Sequence, residues 1–352
     1  MVYRLVKISI FFIFCSNLAS EKFSLISTLP NGKLLTNDSI DDIHVIYDIK
    51  KHDPILLNEL EKLPVTIHFH YDQFSLERCM HIAQTVCKQK QVLLDIDTDH
   101  SQNASIRYSC GKNLRVSLIT SLYKADEFVV DFMKNMVEQS IFSSTELIII
   151  NAHSPGNEEH EILRYLRDYP NIIYIRLPYD PGLYAIWNMG VRYAHAPLIG
   201  NANLDDRRDL YSLEEQVKIL EEHPEYDLAY CDFCITQKPN DQWYEMFNFP
   251  RTNIQQFSKK AIEYCLPGPQ PVWRRSMHEK YGPFREDFVS SADQEMWCRA
   301  VDKGSQFIKV NCISGVYYLN PKGISTEVNS PRAQQRALEN SYIWCLYHHL
   351  WS

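Results

Sequence analysis

From Val116 onward, short apolar runs alternate with amphipathic stretches, and this alternation constrains the fold more than any other feature of the chain. Residues 116–120 read as a short apolar strand. Phe128, Val129, Phe132, Met133, Met136 and Val137 then recur at helical spacing. Residues 146–150, 172–177 and 197–201 read as further strands, separated by a helix carrying Ile162, Leu163, Tyr165 and Leu166 and another over about 184–194. Such a chain buries its helices against both faces of a largely parallel, doubly wound α/β sheet. Ligands of these sheets sit outside the carboxyl ends of the strands. Here that edge is formed by the polar turns after Thr120, Ile150 and Asn201.

The regions on either side are read separately. Arg4 and Lys7 precede an apolar run over 8–15, followed by small and polar residues up to Ser20. This is the layout of a signal peptide; the other readings are an uncleaved peripheral anchor or a buried first strand. The run is far short of the roughly 20 apolar residues that span a bilayer. A secretory route or peripheral membrane association is therefore expected, and the sequence does not choose between them. Residues 21–112 form a small α/β extension with strands at 43–47, 65–70 and 92–96, and helices after Asp53-Pro54 and after Ser75. Asn37-Asp38-Ser39 and Asn103-Ala104-Ser105 fit the N-glycosylation pattern. Residues 113–330 form the main domain, and Ser330-Pro331 opens a closing helix over 331–352. The net charge of -8 argues against a nucleic-acid partner. Cys231 and Cys234 lie three apart on a strand over 228–236, so their thiols point to opposite faces and zinc is not expected.

Three local motifs could carry chemistry. Asp205 and Asp206 follow the strand that ends near Gly200. Adjacent carboxylates are costly to hold close unless a cation neutralises them, and Mg²⁺ or Mn²⁺ accepts carboxylate together with phosphate oxygens. The competing reading is a solvated turn in which the acids pair with Arg207 and Arg208. Next, Ser291 and Gln294 fit a capping box, placing Asp293 in the first turn of a helix that runs to Lys303-Gly304. The positive helix end favours the ionised carboxylate there, as a general base requires; plain helix-end stabilisation is the alternative. Finally, Asn188 and Gly190 are poor helix formers inside a helical stretch, which points to a polar contact or a close backbone approach.

In this order and spacing the motifs resemble family 2 glycosyltransferases of the GT-A fold, over about 210 of the 352 residues. The match rests on residues 116–119 with Tyr123, on 146–154, on Tyr184, Asn188 and Gly190, on residues 203–206, and on Gly282-Pro283-Phe284 with Asp293, Trp297 and Arg299. The resemblance implies a mostly parallel, Rossmann-like GT-A sheet flanked by helices. It implies a nucleotide-diphosphate sugar as donor, bound by Tyr123, Asn151, Ser154, Asn188 and Asn203. Asp205, with Asp206 beside it, would be the metal-binding acids for Mn²⁺ or Mg²⁺, and Asp293 the catalytic base. Asn203 stands where the family usually has an Asp, which lowers the expected metal affinity. Asn151 and Ala152 replace acids that hold the base, and Ser121 and Leu122 replace a Pro-Thr pair.

The expected activity is inverting, divalent-metal-dependent transfer of a hexose-type sugar to a hydroxyl of a saccharide, lipid-linked or protein acceptor. The alternatives are a non-catalytic nucleotide-sugar or glycan-binding module, favoured by Asn203 and Ala152, and a sugar nucleotidyltransferase. No Gly-rich phosphate loop with a following Lys lies near the first strand, which counts against the latter. Trp243, Tyr244, Phe247, Phe249 and Trp273 are candidates for stacking on a sugar face or for ordinary core packing.

Overall fold

Apolar runs bounded by Gly, Pro and polar clusters become strands, and the amphipathic stretches between them become helices. The computed structural model describes residues 114–166, 168–169 and 171–351, together with strand segments within 1–113. Those segments are β1 (Ser9–Ile13), β2 (Asp42–Tyr47), β3 (Thr66–Asp72), β4 (Val92–Asp97) and β5 (Asn103–Tyr108). Then follow β6 (Val116–Leu122), α1 (Val129–Val137), β7 (Thr145–Asn151), α2 (Glu158–Leu166), β8 (Ile172–Arg176), α3 (Leu183–Tyr193) and β9 (Leu198–Asn201). The chain continues with β10 (Arg207–Arg208), α4 (Ser212–Glu222), β11 (Leu228–Thr236), β12 (Val272–Arg274), α5 (Ser276–Tyr281), α6 (Ala292–Asp302), β13 (Phe307–Tyr318) and α7 (Pro331–Tyr347).

Two compact units result: residues 1–112 with 168–178, and residues 113–167 with 179–352. In the first, β1 to β5 pair in chain order, parallel as far as β4 and antiparallel between β4 and β5. β1 falls within the segment read as a leader, whereas the rest of that segment, the helices expected after Asp53-Pro54 and after Ser75, and the Asn37 triplet lie outside the described residues. Among the described residues no helix is long and apolar enough to cross a membrane.

The second unit carries the sheet order β10-β13-β11-β12-β9-β6-β7. Pairs β6/β7, β6/β9 and β11/β13 are parallel. The short antiparallel β12, which the sequence did not announce, joins the two parallel parts by pairing with β9 on one side and β11 on the other. β6 and β7 are buried on both faces, as apolar runs such as Leu147 to Ile150 require. α3 packs on β6 through Gly190. A Cβ there would come within 2.4 Å of Ile119 Cγ2, so the helix accepts a residue of low propensity to approach the strand.

One local expectation is corrected. Ser291 occupies the N-cap of α6, but its hydroxyl donates to Asn340 Oδ1 at 2.8 Å and caps nothing. Gln294 instead donates to Ile262 O at 2.6 Å, so no capping box forms. The thiol of Cys231 lies beside that of Cys312 on β13, with Sγ atoms 3.0 Å apart. By contrast Ser330 caps α7 by accepting from Ala333 N, with Pro331 at the first helical position.

Candidate active site

A hollow of about 690 Å³ opens at the carboxyl ends of β6, β7 and β9. That size suits a ligand site, for which several hundred Å³ is usual. Ser121 and Tyr123 follow β6, Ala152 follows β7, and Asn203, Leu204 and Asp205 follow β9. Backbone hydrogen bonds extend the ladder into these turns, from Ala152 N to Leu122 O and from Ala202 N to Ile119 O, both 2.9 Å. The far wall comes from later in the chain: Asp293 and Trp297 on α6, Tyr317 and Tyr318 at the end of β13, and residues 322–326 beyond it. Asp205 and Asp293 therefore line the same cavity although 88 positions separate them in the chain.

The adjacent acids are not equivalent. Asp205 lines the hollow and accepts from Asn320 Nδ2 at 3.1 Å. Asp206 is only 2% exposed; Oδ1 accepts from Tyr318 N at 3.1 Å and Oδ2 from Asn203 Nδ2 at 3.0 Å. Burial, and then the neighbouring Asp205, push its carboxyl well above the usual range. Asp206 thus ties the turn to β13, and Asp205 is the acid presented to a ligand. The solvated-turn reading is overturned, because Arg207 and Arg208 are each 1% exposed. Arg207 Nη1 donates to Leu204 O at 2.9 Å and Asp206 O at 2.6 Å, and Arg208 Nη1 to Gln216 Oε1 at 2.8 Å. Their planar forks satisfy buried carbonyls and hold the turn from beneath.

Asp293 sits in the first turn of α6 and accepts from Tyr184 OH at 3.1 Å. Burial raises its carboxyl above the ordinary value, opposed by the Gln294 backbone N–H and by the Tyr184 hydroxyl. α6 owes its position to a residue with no motif around it. Glu339 on α7, 3% exposed, accepts from Val289 N at 2.7 Å and from Ser290 N and Ser291 N at 3.0 Å each. A carboxylate here satisfies amides just before the helix and suits the positive end of its dipole.

The remaining candidates serve different ends. Tyr123 and Asn203 line the hollow. Asn151, 1% exposed, accepts from Ser154 N at 2.7 Å, and Ser154 Oγ donates to Glu158 Oε1 at 2.7 Å while accepting from Lys124 N. These two residues shape the turn after β7 and are not part of the cavity wall. Asn188 Nδ2 donates to Phe284 O and Glu286 Oε1, both 2.9 Å, and its Oδ1 accepts from Phe284 N. This is the polar contact its helix position implied, and it clamps a loop without reaching the hollow. The aromatic candidates are corrected too. Trp273 is core, stacked edge-on against Trp297 at 5.4 Å; Trp243, Tyr244, Phe247 and Phe249 do not line the cavity. Its aromatic wall includes Tyr123, Tyr184, Trp187, Phe233 and Tyr317, with Trp297 and Tyr318.

No cluster of three or more His, Cys, Asp or Glu suited to a metal occurs among the described residues. Asp205 is the carboxylate on the wall of the hollow that could share a hard divalent cation with phosphate and water ligands.

Comparison with known proteins follows the same lines. Residues 117–282 match the model of Glycosyl transferase family 2. Minor teichoic acid biosynthesis protein GgaB of Bacillus subtilis (strain 168) is 26% identical over 112 residues, 32% of this chain and 12% of that protein. The crystal structure of S. aureus TarS 1-349 in complex with UDP-GlcNAc superposes with a TM-score of 0.51 at 13% identity, covering 61% of each chain. The chain thus spans about an eighth of the curated relative and about three fifths of the solved structure. The GT-A fold expected from the sequence is the one observed.

Proposed function

We propose that the chain, whose residues 117–282 match the model of Glycosyl transferase family 2, transfers a sugar from a nucleotide-diphosphate donor to an acceptor hydroxyl with inversion. The observation that carries the reading is the convergence of Asp205 and Asp293 on one hollow at the carboxyl edge of the sheet. Asp293 takes the proton of the acceptor hydroxyl. The oxygen attacks the anomeric carbon, a new C–O bond forms on one face of the sugar, and the bond to the diphosphate breaks on the opposite face with its electron pair leaving on phosphate. Asp205 would hold a divalent cation together with the diphosphate, and that cation, when bound, stabilises the charge of the leaving group. Asn203 contributes a neutral amide at the same edge, so the protein brings little negative charge and the donor's phosphates carry most of the cation's affinity. Tyr123, 43% exposed at the wall of the hollow, offers a face for the base or the sugar.

The test has two parts. Nucleotide-diphosphate sugars are first screened with Mn²⁺ for a rise in melting temperature. With the donor so found, Asp293→Asn should retain the rise and lose roughly 10²–10⁴ in turnover. Near-normal turnover in that variant ends the assignment of the base. A donor that binds and is neither transferred nor hydrolysed by the intact chain favours the binding-module reading.

A further inference from the structure

The one side-chain hydrogen bond described for Asp293 comes from a residue 109 positions earlier, and nothing in the reaction scheme above uses it. Tyr184 lies in the first turn of α3, just after Gly182, whose φ of 95° turns the chain into the helix. The ring is 3% exposed, edge-on to Trp187 at 5.5 Å and 6.0 Å from the ring of Phe284. Packing alone would be served equally well by phenylalanine. A buried hydroxyl needs a partner, and this one donates to Asp293 Oδ1 at 3.1 Å at the wall of the hollow. The phenol is held in its donor form, because burial and the adjacent carboxylate both push its ionisation well above the ordinary value.

We propose that Tyr184 is the positioning residue of the catalytic carboxylate: its hydroxyl fixes Asp293 against the hollow and favours the charged form that accepts a proton. The proposal rests on the reading of Asp293 as the base. The other groups facing Asp293 work against the charged form or leave it unaided. Glu339 on α7 disfavours the charge, and Asp293 in turn raises the Cys265 thiol and the Tyr317 phenol. Beside an acid, a thiol and a second phenol, the carboxylate is supported by the N–H groups of its own helix turn and by the Tyr184 hydroxyl, with Lys322 and Arg332 on the wall of the same hollow. A hydrogen bond to a charged group favours that form by roughly ten- to a hundredfold, so its loss should raise the proton affinity of the carboxyl by about that factor.

The experiment uses the full chain labelled with ¹³C at aspartate carboxyls, with the Asp293 resonance assigned by its disappearance in Asp293→Asn. In Tyr184→Phe, which keeps the ring and its packing, the Asp293 titration should move to higher pH. With an active donor, the acidic limb of kcat/KM should move the same way, and the alkaline plateau should fall less than the acid side. If the phenylalanine variant does not fold, 3-fluorotyrosine at position 184 is the second arm. Its more acidic hydroxyl is a stronger donor and should move the titration to lower pH. An unmoved titration in either variant overturns the proposal, as does a raised KM with an unchanged pH profile, which would make Tyr184 a substrate contact. A shifted titration combined with full turnover in Asp293→Asn would instead leave the tether standing and remove the base assignment.

Discussion

Replacing Glu339 by Gln is the most informative perturbation of the scaffold, because it changes one atom and a charge where three backbone amides converge. The new amide group has two orientations. With its NH₂ in place of Oε2 it faces the N–H groups of both Ser290 and Ser291; in place of Oε1 it faces that of Val289 and, at 3.3 Å, the side-chain amide of Gln335, which can turn its oxygen inward. The second orientation costs less and leaves one buried N–H without its acceptor, about 1–3 kcal/mol. The two retained bonds then lose their charge assistance, which weakens each, while relief from burying a charge offsets part of the loss. A net destabilisation of about 2–3 kcal/mol follows, or a fall of about 5–10 °C in melting temperature for a unit of this size. Thermal melts of the wild type and the variant, followed by circular dichroism and repeated in urea, read this directly. Donor affinity should be kept, whereas turnover falls because the first turn of α6 carries Asp293. A melting temperature within about 1 °C of the wild type would refute the claim that this carboxylate holds the helix.

Other consequences are open to direct measurement. Gly315 has φ 149°, and a Cβ there would lie 2.0 Å from Arg207 O, so Gly315→Ala should destabilise by about 3 kcal/mol or more, read as a lowered urea midpoint. Asp206→Ala should lower the melting temperature by removing the acceptor of Tyr318 N. Asp205→Ala should leave the melt nearly unchanged and abolish any Mn²⁺-dependent stabilisation by a donor; equal effects of the two would contradict their different placement. Buried Glu146 pairs with half-buried His195, Nδ1 to Oε1 2.6 Å. Burial raises Glu146 from 4.5 to about 7 and lowers His195 from 6.5 to about 4. The raised acid makes stability fall as pH rises from 4.5 to about 7, and the lowered His makes it rise from about pH 4 to 6.5, so the two slopes oppose each other where they overlap. Glu146→Gln removes the first slope, and its urea midpoint should climb between pH 4.5 and 6.5 relative to the wild type; parallel curves would contradict this.

What the sequence disclosed follows the range of the interactions involved. β11 has the bounds read from its apolar run, residues 228–236, and α3 lies within a residue of its expected limits, because hydrophobic periodicity is a local signal. Asn188 and Gly190 were legible as anomalies, since each breaks helix propensity for a contact that the structure supplies. The buried state of Arg207 and Arg208 was not, because charge in a turn ordinarily reads as solvated and acceptors distant in the chain, such as Phe128 O and Gln270 O, reverse that. The capping box failed for a related reason: Ser291 found a better partner in Asn340, 49 residues on. Glu339 and the Tyr184–Asp293 bond leave no periodic trace, since each joins groups far apart in the chain through a single atom pair or a backbone contact. The placement of Asp206 away from the hollow likewise depends on the end of β13, which no motif near residue 206 announces.

The grip of Glu339 on the main-chain amides before α6 sets an unusual rule for variation in this part of the molecule. Positions 289, 290 and 291 present only main-chain hydrogen to the carboxylate, so exchanging their side chains leaves the contact intact, with one exception. Proline has no such hydrogen. Across natural relatives built this way, an acid on the closing helix should coexist with almost any residues at those three places and never with proline, a mark visible as an exclusion where paired substitutions would show nothing.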